Sequence, residues 1–271
     1  MISTLKNHRL SLNKSLGQHF LANDSYLQKI VDAASLKKDS PVFEIGLGSG
    51  NLTKKILETR ACLISLEKDT RWVEVLNKEI VSDHFTLIHE DALKFNPGRL
   101  NQYAPPPYKV LGNLPYNIAT EIIFHLLDYR DLFTDFYFMV QKEVGDRMKS
   151  QEGSKDYGVL SIMVQIYCEV KTLFHIPPGA FVPPPKIQSS LMHLKIFPEP
   201  RWPIQDMDLF KKMVRASFQQ RRKTLSNTLS PFFPSKKDTI LFLESQDIPP
   251  STRPEEVSMT KWVAIANSLH D

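Results

Sequence analysis

The sequence predicts an α/β protein: a mostly parallel, doubly wound sheet followed by a small all-helical C-terminal domain. Three observations carry this prediction. Short apolar runs alternate with segments of helical spacing through the first two-thirds of the chain, the pattern of a parallel sheet covered by helices. A glycine-rich turn, Glu44-Ile45-Gly46-Leu47-Gly48-Ser49-Gly50, joins one such run to the helical segment after it. Composition shifts near Pro198–Pro203, and strand signals cease beyond it.

Candidate strands are Val42–Ile45, Cys62–Leu66, Thr86–His89, Lys109–Leu111 and Phe136–Val140. Between them, Leu52–Glu58, Trp72–Ile80 and Thr120–Leu127 read as helices, with apolar residues three and four apart. The texture then changes. Tyr157–Val170 is a long apolar segment, and Phe174–Ile176 and Ile187–Phe197 look like closing strands. The proline-dense loop Pro177–Pro185 has too few amide donors for an interior strand. Helix-forming stretches follow at 206–229, 236–245 and 255–269. The expected domains are therefore 1–198 and 199–271.

Composition bounds the function. A chain of 271 residues, 42% of them hydrophobic, can bury a real core, which excludes disorder and disulfide-stapled miniproteins. No run approaches the roughly 18 apolar residues of a membrane span. The first 20 residues hold no apolar block with a cleavage site. Cys62 and Cys168, each inside an apolar run, read as buried thiols in a reducing compartment. The expectation is a soluble, cytoplasmic protein with no membrane partner; nothing signals an oligomer, so a monomer is expected.

A net charge of +4 says little by itself; its distribution says more. Residues 1–20 carry Lys6, Arg9 and Lys14 with no acid, and residues 211–223 carry Lys211, Lys212, Arg215, Arg221, Arg222 and Lys223, again with no acid. Clustered positive charge is the footprint of a polyanion binder, although two solvated basic faces would look the same. On one continuous helix, Lys211, Lys212, Arg215, Arg222 and Lys223 fall within roughly 120° of one another. Phe210, Met213, Val214, Phe218, Leu225 and Leu229 crowd the adjoining face. Arg221 falls among these apolar positions, so either the helix breaks near it or its head snorkels to the rim.

The glycine loop is the strongest local motif, because glycines let the backbone turn sharply and approach a ligand closely. It fails the dinucleotide fingerprint, since position 51 is Asn where a third glycine is needed. No Gly-Lys-Ser/Thr follows, so it is no phosphate-cradling Walker loop. A Glu-x-Gly-x-Gly-x-Gly loop instead looks like the first motif of S-adenosylmethionine-dependent methyltransferases. Glu67 ends the second candidate strand, 21 residues after Gly46, where a carboxylate can accept from both ribose hydroxyls of an adenosyl ligand. Asp91 follows the third, placed to accept from an exocyclic adenine amine. Three features at successive strand ends match ligand placement in open α/β sheets; solvated acids in strand-to-helix loops are the alternative.

After the fourth candidate strand comes Asn113-Leu114-Pro115-Tyr116. An adenine amine is a poor nucleophile because its lone pair is delocalised into the ring. Two acceptors, the Asn113 side-chain carbonyl and the Leu114 backbone carbonyl, would draw that nitrogen toward tetrahedral geometry and free the lone pair for a sulfonium methyl. Tyr116 can stack on the base, worth roughly 1–3 kcal/mol. No general base is needed before transfer, so catalysis would rest on positioning and oriented acceptors.

Taken together the motifs resemble the small-subunit (16S) ribosomal RNA adenine N6,N6-dimethyltransferase family. The resemblance runs from about Lys14 to Asn227. It is carried by Lys14-Ser15-Leu16-Gly17-Gln18-His19-Phe20-Leu21, the glycine loop, Glu67, Glu90-Asp91-Ala92 and Gly112-Asn113-Leu114-Pro115-Tyr116-Asn117. Further matches are Gln141-Lys142-Glu143-Val144, Tyr157–Ser161, Pro177–Lys186 and Phe218–Leu225. The resemblance implies a Rossmann-like class I methyltransferase fold with a seven-stranded sheet. It implies S-adenosylmethionine as cofactor and dimethylation of two adjacent adenosines in the 3′-terminal hairpin loop of 16S ribosomal RNA, in the 30S subunit or its precursor, as a step in ribosome biogenesis.

Roles follow for matched positions. Gln18, His19 and Leu21, on an N-terminal arm spanning 1–21, would cover the methionine part of the cofactor. Gly46 and Gly48 would contact it from the glycine loop, and Glu67, Asp91 and Asn113 would hold ribose, adenine and the reacting end. Asn113, Leu114, Pro115 and Tyr116 would form the catalytic motif, with Phe181 stacking on the flipped adenine opposite Tyr116; a core-packing ring is the alternative for Phe181. Lys211, Lys212, Arg215, Arg221, Arg222 and Lys223 would bind RNA phosphates. His19 stands where asparagine is commonest, Leu47 replaces a frequent proline, and Glu121 stands where proline is common. No ligands lie at metal spacing from His19, so no metal is expected. The rival readings are a large-subunit adenine methyltransferase of the antibiotic-resistance type, a DNA adenine methyltransferase, and a non-catalytic ribosome-assembly or transcription factor on the same fold.

Overall fold

The computed structural model describes residues 19–199, 201–220 and 222–270. They form two compact units: one runs to Gly145 and resumes over Glu169–Pro198, and the other comprises Asp146–Cys168 and the chain from Glu199.

The first unit is α/β. In chain order it holds β1 (Phe20–Leu21), α1 (Asp24–Ala34), β2 (Pro41–Ile45), α2 (Asn51–Glu58), β3 (Cys62–Glu67), α3 (Thr70–Glu79) and β4 (Phe85–His89). Then come β5 (Tyr108–Asn113), α4 (Ala119–Leu127), β6 (Phe133–Gln141) and the first half of α5 (Lys142–Lys149), which crosses the division, and after the interruption β7 (Cys168–Ile176), β8 (Phe181–Val182) and β9 (Ser189–Ile196). The five predicted strands and three predicted helices all appear, with ends shifted by three residues or fewer. Helices α1 and α5 and the short β1–β8 pair are not among the predicted elements.

Seven strands form one sheet in the order β4-β3-β2-β5-β6-β9-β7. Strands β4, β3, β2, β5 and β6 run parallel, and β9 lies antiparallel to β6. Val42, Phe43, Glu44 and Ile45 of β2 are all buried, as a central parallel strand covered on both faces requires. The chain builds outward from β2 through β3 to β4, then returns across β2 to β5. Strand order therefore reverses between β2 and β5, and ligands of such sheets gather at the carboxyl ends beside that reversal. Cys168 is buried and Cys62 only half-buried; both thiols are free.

The second unit holds α6 (Val159–Gln165), α7 (Met207–Phe218), α8 (Leu225–Thr228), α9 (Lys236–Ser245) and α10 (Met259–His270). Residues 146–168, expected in the α/β domain, group here instead. The reasons are specific. The Tyr157 ring meets Phe218 edge-on, Phe218 packs on Trp262, and the Gly153 amide donates to the Glu255 carbonyl at 2.8 Å. The apolar run from Tyr157 is thus split, with a buried helix up to Gln165 and strand β7 beginning at Cys168.

The expected helix 206–229 is also broken. Helix α7 starts at the Asp206 cap, whose carboxylate accepts from the Leu209 amide at 2.9 Å, and it stops at Phe218. The Leu225 amide donates to the Thr252 carbonyl at 2.7 Å, a partner outside the helix, and α8 begins only there. Phe210, Met213, Val214, Leu225 and Leu229 still reach the core.

Candidate active site at the carboxyl edge of the sheet

The site begins where β2 ends. Gly46, Gly48 and Gly50 have φ of +75°, +52° and +73°, a region closed to most side chains. At Gly48 space is as limiting as conformation, because a Cβ there would lie 2.6 Å from the Phe20 ring. Phe20 is itself held edge-on to Trp72 of α3, centroids 5.1 Å apart.

Around this turn the carboxyl ends of β2, β3, β4 and β5 enclose a cleft of about 290 Å³. Gly46, Gly48, Glu67, Asp91, Asn113, Leu114, Pro115 and Tyr116 line it together with His19. The predicted residues from four separate strand ends therefore share one cavity.

Glu67 is buried and tied down by backbone. Its Oε2 accepts from the Gly48 amide at 2.8 Å, and its Oε1 accepts from the amides of Lys68 and Asp69 at 2.9 and 2.8 Å. Burial pushes this carboxyl above its usual range, against the pull of those amides. A carboxylate has about four acceptor positions, so Oε2 keeps one for a ligand hydroxyl. Asp91 behaves oppositely, since the Lys68 ammonium 2.7 Å from Oδ2 holds its carboxyl below the usual range. Its Oδ1 accepts from the Leu93 amide at 3.0 Å.

Behind the loop, Glu44 of β2 is fully enclosed. Its Oε2 accepts from the Thr53 and Ser65 hydroxyls at 2.8 and 2.6 Å, while Oε1 has no partner. Burial pushes its carboxyl up to about 7.

Asn113 ends β5. Its side-chain Nδ2 donates to the His19 backbone carbonyl at 2.5 Å, which fixes the amide so that Oδ1 is the free end. That Oδ1 is buried and has no hydrogen-bond partner. Such an acceptor costs about 1–3 kcal/mol, and a ligand N–H would offset this. Tyr116 is fixed at both ends of its ring: the hydroxyl shares a 2.6 Å hydrogen bond with Ser189 of β9, and the face stacks on the His19 imidazole, centroids 5.5 Å apart. The His19 Nδ1 is 2.8 Å from the Pro183 carbonyl, to which it donates.

Two expected placements differ, those of Phe181 and of the basic residues. Phe181 does not face Tyr116. It is 1% exposed, pairs with Leu21 across β1–β8, and packs with Leu27, Met139 and Ile176 in the core. Strand β8 begins at Phe181, and its register with Leu21 turns the ring inward. Leu21 is also a core residue, but it lines a smaller cavity beside the cleft together with Gly46 and Asn113, and its carbonyl accepts from the Asn51 side chain at 2.8 Å. The five described basic residues do not share one helix. Lys212 and Arg215 are exposed on α7 and Lys211 is half-buried there, whereas Arg222 and Lys223 are exposed in the turn beyond its end. Gln18, Arg221, and the basic residues Lys6, Arg9 and Lys14 lie outside the described residues.

Lys68, Ser189 and Phe20 are site residues that pattern reasoning does not find. Lys68 is adjacent to Glu67, which is a faint signal. Ser189 is 73 residues from Tyr116, and only the sheet brings them together.

A family model described as ribosomal RNA adenine dimethylase matches residues 9–271. The chain is 40% identical to the ribosomal RNA small subunit methyltransferase A of Pseudomonas aeruginosa over 269 residues, covering 99% of this chain and 97% of that protein. It is 37% identical to the protein of the same name from Magnetococcus marinus, covering 97% and 94%. Among solved structures, a dimethyladenosine transferase from Plasmodium falciparum superposes with a TM-score of 0.78 at 27% identity, over 91% of this chain and 96% of that one. The 23S rRNA methyltransferase ErmE, at 22% identity and a TM-score of 0.68 over 93% and 100%, shares the fold. The sheet is accordingly that of a Rossmann-like methyltransferase with a helical C-terminal part, and the chain belongs to the ribosomal RNA adenine dimethylase family.

Proposed function

We propose that this chain transfers methyl groups from S-adenosylmethionine to N6 of two adjacent adenosines in the 3′-terminal hairpin loop of 16S ribosomal RNA, within the small subunit or its precursor. The carrying observation is the buried, unpartnered Oδ1 of Asn113, an acceptor on a residue that lines one cleft with Glu67, Asp91 and the glycine loop.

The residues present fit such a cofactor: a loop that a Cβ would obstruct at Gly48, acceptors on Glu67 and Asp91, and an orphaned acceptor at the reacting end. S-adenosylmethionine, when bound, supplies a sulfonium-borne methyl group. Glu67 Oε2 would accept from the ribose and Asp91 from the adenine amine, which together orient the cofactor. Asn113 Oδ1 and the Leu114 carbonyl would each accept one proton of the target amine, and Pro115 would hold the turn that presents them. Tyr116, locked by Ser189, would stack on the extruded base; a loop base costs less to extrude than a paired one. The amine proton is lost after methylation, so no side chain need act as a base.

RNA contact would fall to the helical part of the chain beyond residue 198, through Lys211, Lys212, Arg215, Arg222 and Lys223. Phosphate contacts of this kind set register and leave specificity to RNA shape. Action as a monomer in the cytoplasm belongs to the same proposal. Asn113→Ala tests it: methylation of unmethylated small subunits should fall by an order of magnitude or more, with folding unchanged by circular dichroism. Retained methylation would refute the role of Oδ1.

A further inference from the structure

Lys68 and Asp91 line the same cleft, and the Lys68 ammonium lies 2.7 Å from Asp91 Oδ2. Asp91 Oδ1 already accepts from the Leu93 amide, so both carboxylate oxygens have donors before any ligand arrives. The Lys68 backbone is anchored at the neighbouring subsite, its amide donating to Glu67 Oε1 at 2.9 Å. Its head is free to swing: the Lys68 side chain is 59% exposed, whereas Asp91 is 17% exposed.

We propose that Lys68 sets the cofactor affinity of this site by competing, as a charged donor, with the neutral adenine amine for Asp91. A neutral N–H is a weaker partner for a carboxylate than an ammonium, so an adenine amine that takes Oδ2 does so only as Lys68 moves aside or shares that oxygen. The exchange is inexpensive because an exposed pair on a long side chain is weakly held. Lys68 thus acts as a positioning residue on the binding side of the reaction. The inference rests on the reading of Asp91 as the adenine acceptor.

The test is the dissociation constant of S-adenosylhomocysteine for the full chain, measured by titration calorimetry without RNA. Lys68→Met keeps the apolar stem and removes the charge. It should tighten binding about twofold to fivefold, the range in which exposed ion pairs act. The gain should shrink toward about 0.5 M salt, where screening weakens the pair in the unsubstituted protein. In an Asp91→Ala background, Lys68→Met should have no effect, since the two residues then share no partner. Weaker or unchanged binding by Lys68→Met, or a gain that persists without Asp91, would overturn the proposal. Asp91→Ala alone separates the two readings: if it leaves affinity unchanged, the assignment of Asp91 to adenine fails on its own account.

Discussion

At the scale of single residues, the site is defined by which polar atoms are satisfied and which are not. Asn113 Oδ1 is the unsatisfied one on a residue that lines the cleft, and the Nδ2 bond to His19 leaves no choice about its orientation. Glu44 is the second case, with one oxygen held by two hydroxyls and the other bare. Its carboxyl rises from about 4.5 to about 7 on burial, so the folded protein keeps a proton that the unfolded chain releases across that window. Stability therefore falls as pH rises from 4.5 to 7, by roughly 3 kcal/mol for a shift of this size. Urea unfolding of the protein and Glu44→Gln at both ends of that window should show the difference, with the glutamine variant gaining relative stability at the higher pH. A difference independent of pH would contradict the buried, proton-holding carboxyl. Phe181 supplies a third residue-scale test. As a core ring, Phe181→Ala should cost about 3–5 kcal/mol in urea unfolding. A ring that served only to stack on a substrate base would leave stability intact.

At the scale of elements, what was legible depended on how local the signal is. Strands β2 to β6 and the helices between them carry their own periodicity, and Glu67, Asp91 and Asn113 could be placed because each stands at a strand end. Helix α1 has such a signal too, with Asn23 as cap and Leu27, Ile30, Val31 and Ala34 on one face, so it was legible although it is not among the predicted elements. The inward turn of Phe181 depends on the register of a two-residue strand against Leu21. The end of α7 depends on a carbonyl 27 residues away. The Tyr116–Ser189 bond depends on the sheet order. None of these long-range partners is written into the local pattern. The glycine turn gives the element-scale prediction. Gly48→Ala would combine a positive φ with a Cβ in the Phe20 ring, the first worth about 1–2 kcal/mol. It should lower the melting temperature and abolish detectable S-adenosylhomocysteine binding, and unchanged binding would show that the loop does not contact the ligand.

At the scale of the whole molecule, a net charge of +4 matters less than where the charge lies. Acid-free positive charge at Lys212, Arg215, Arg222 and Lys223 is exposed in the helical unit, away in sequence from the acceptors of the sheet edge. On the proposed function, labour divides between residues of the sheet edge that orient an adenosyl group and an amine and residues of the helical part that neutralise phosphates. If so, replacing Arg215 by alanine should reduce the slope of log affinity for small-subunit RNA against log salt by about 1. Cofactor affinity should stay as it was. The central claim is the reaction itself. Its most direct test is nucleoside mass spectrometry of ribosomal RNA after incubating unmethylated small subunits with the protein and S-adenosylmethionine. The account predicts N6,N6-dimethyladenosine at two adjacent positions of the 3′-terminal hairpin of 16S RNA, whereas dimethyladenosine confined to large-subunit RNA, or none despite demonstrated cofactor binding, would contradict it.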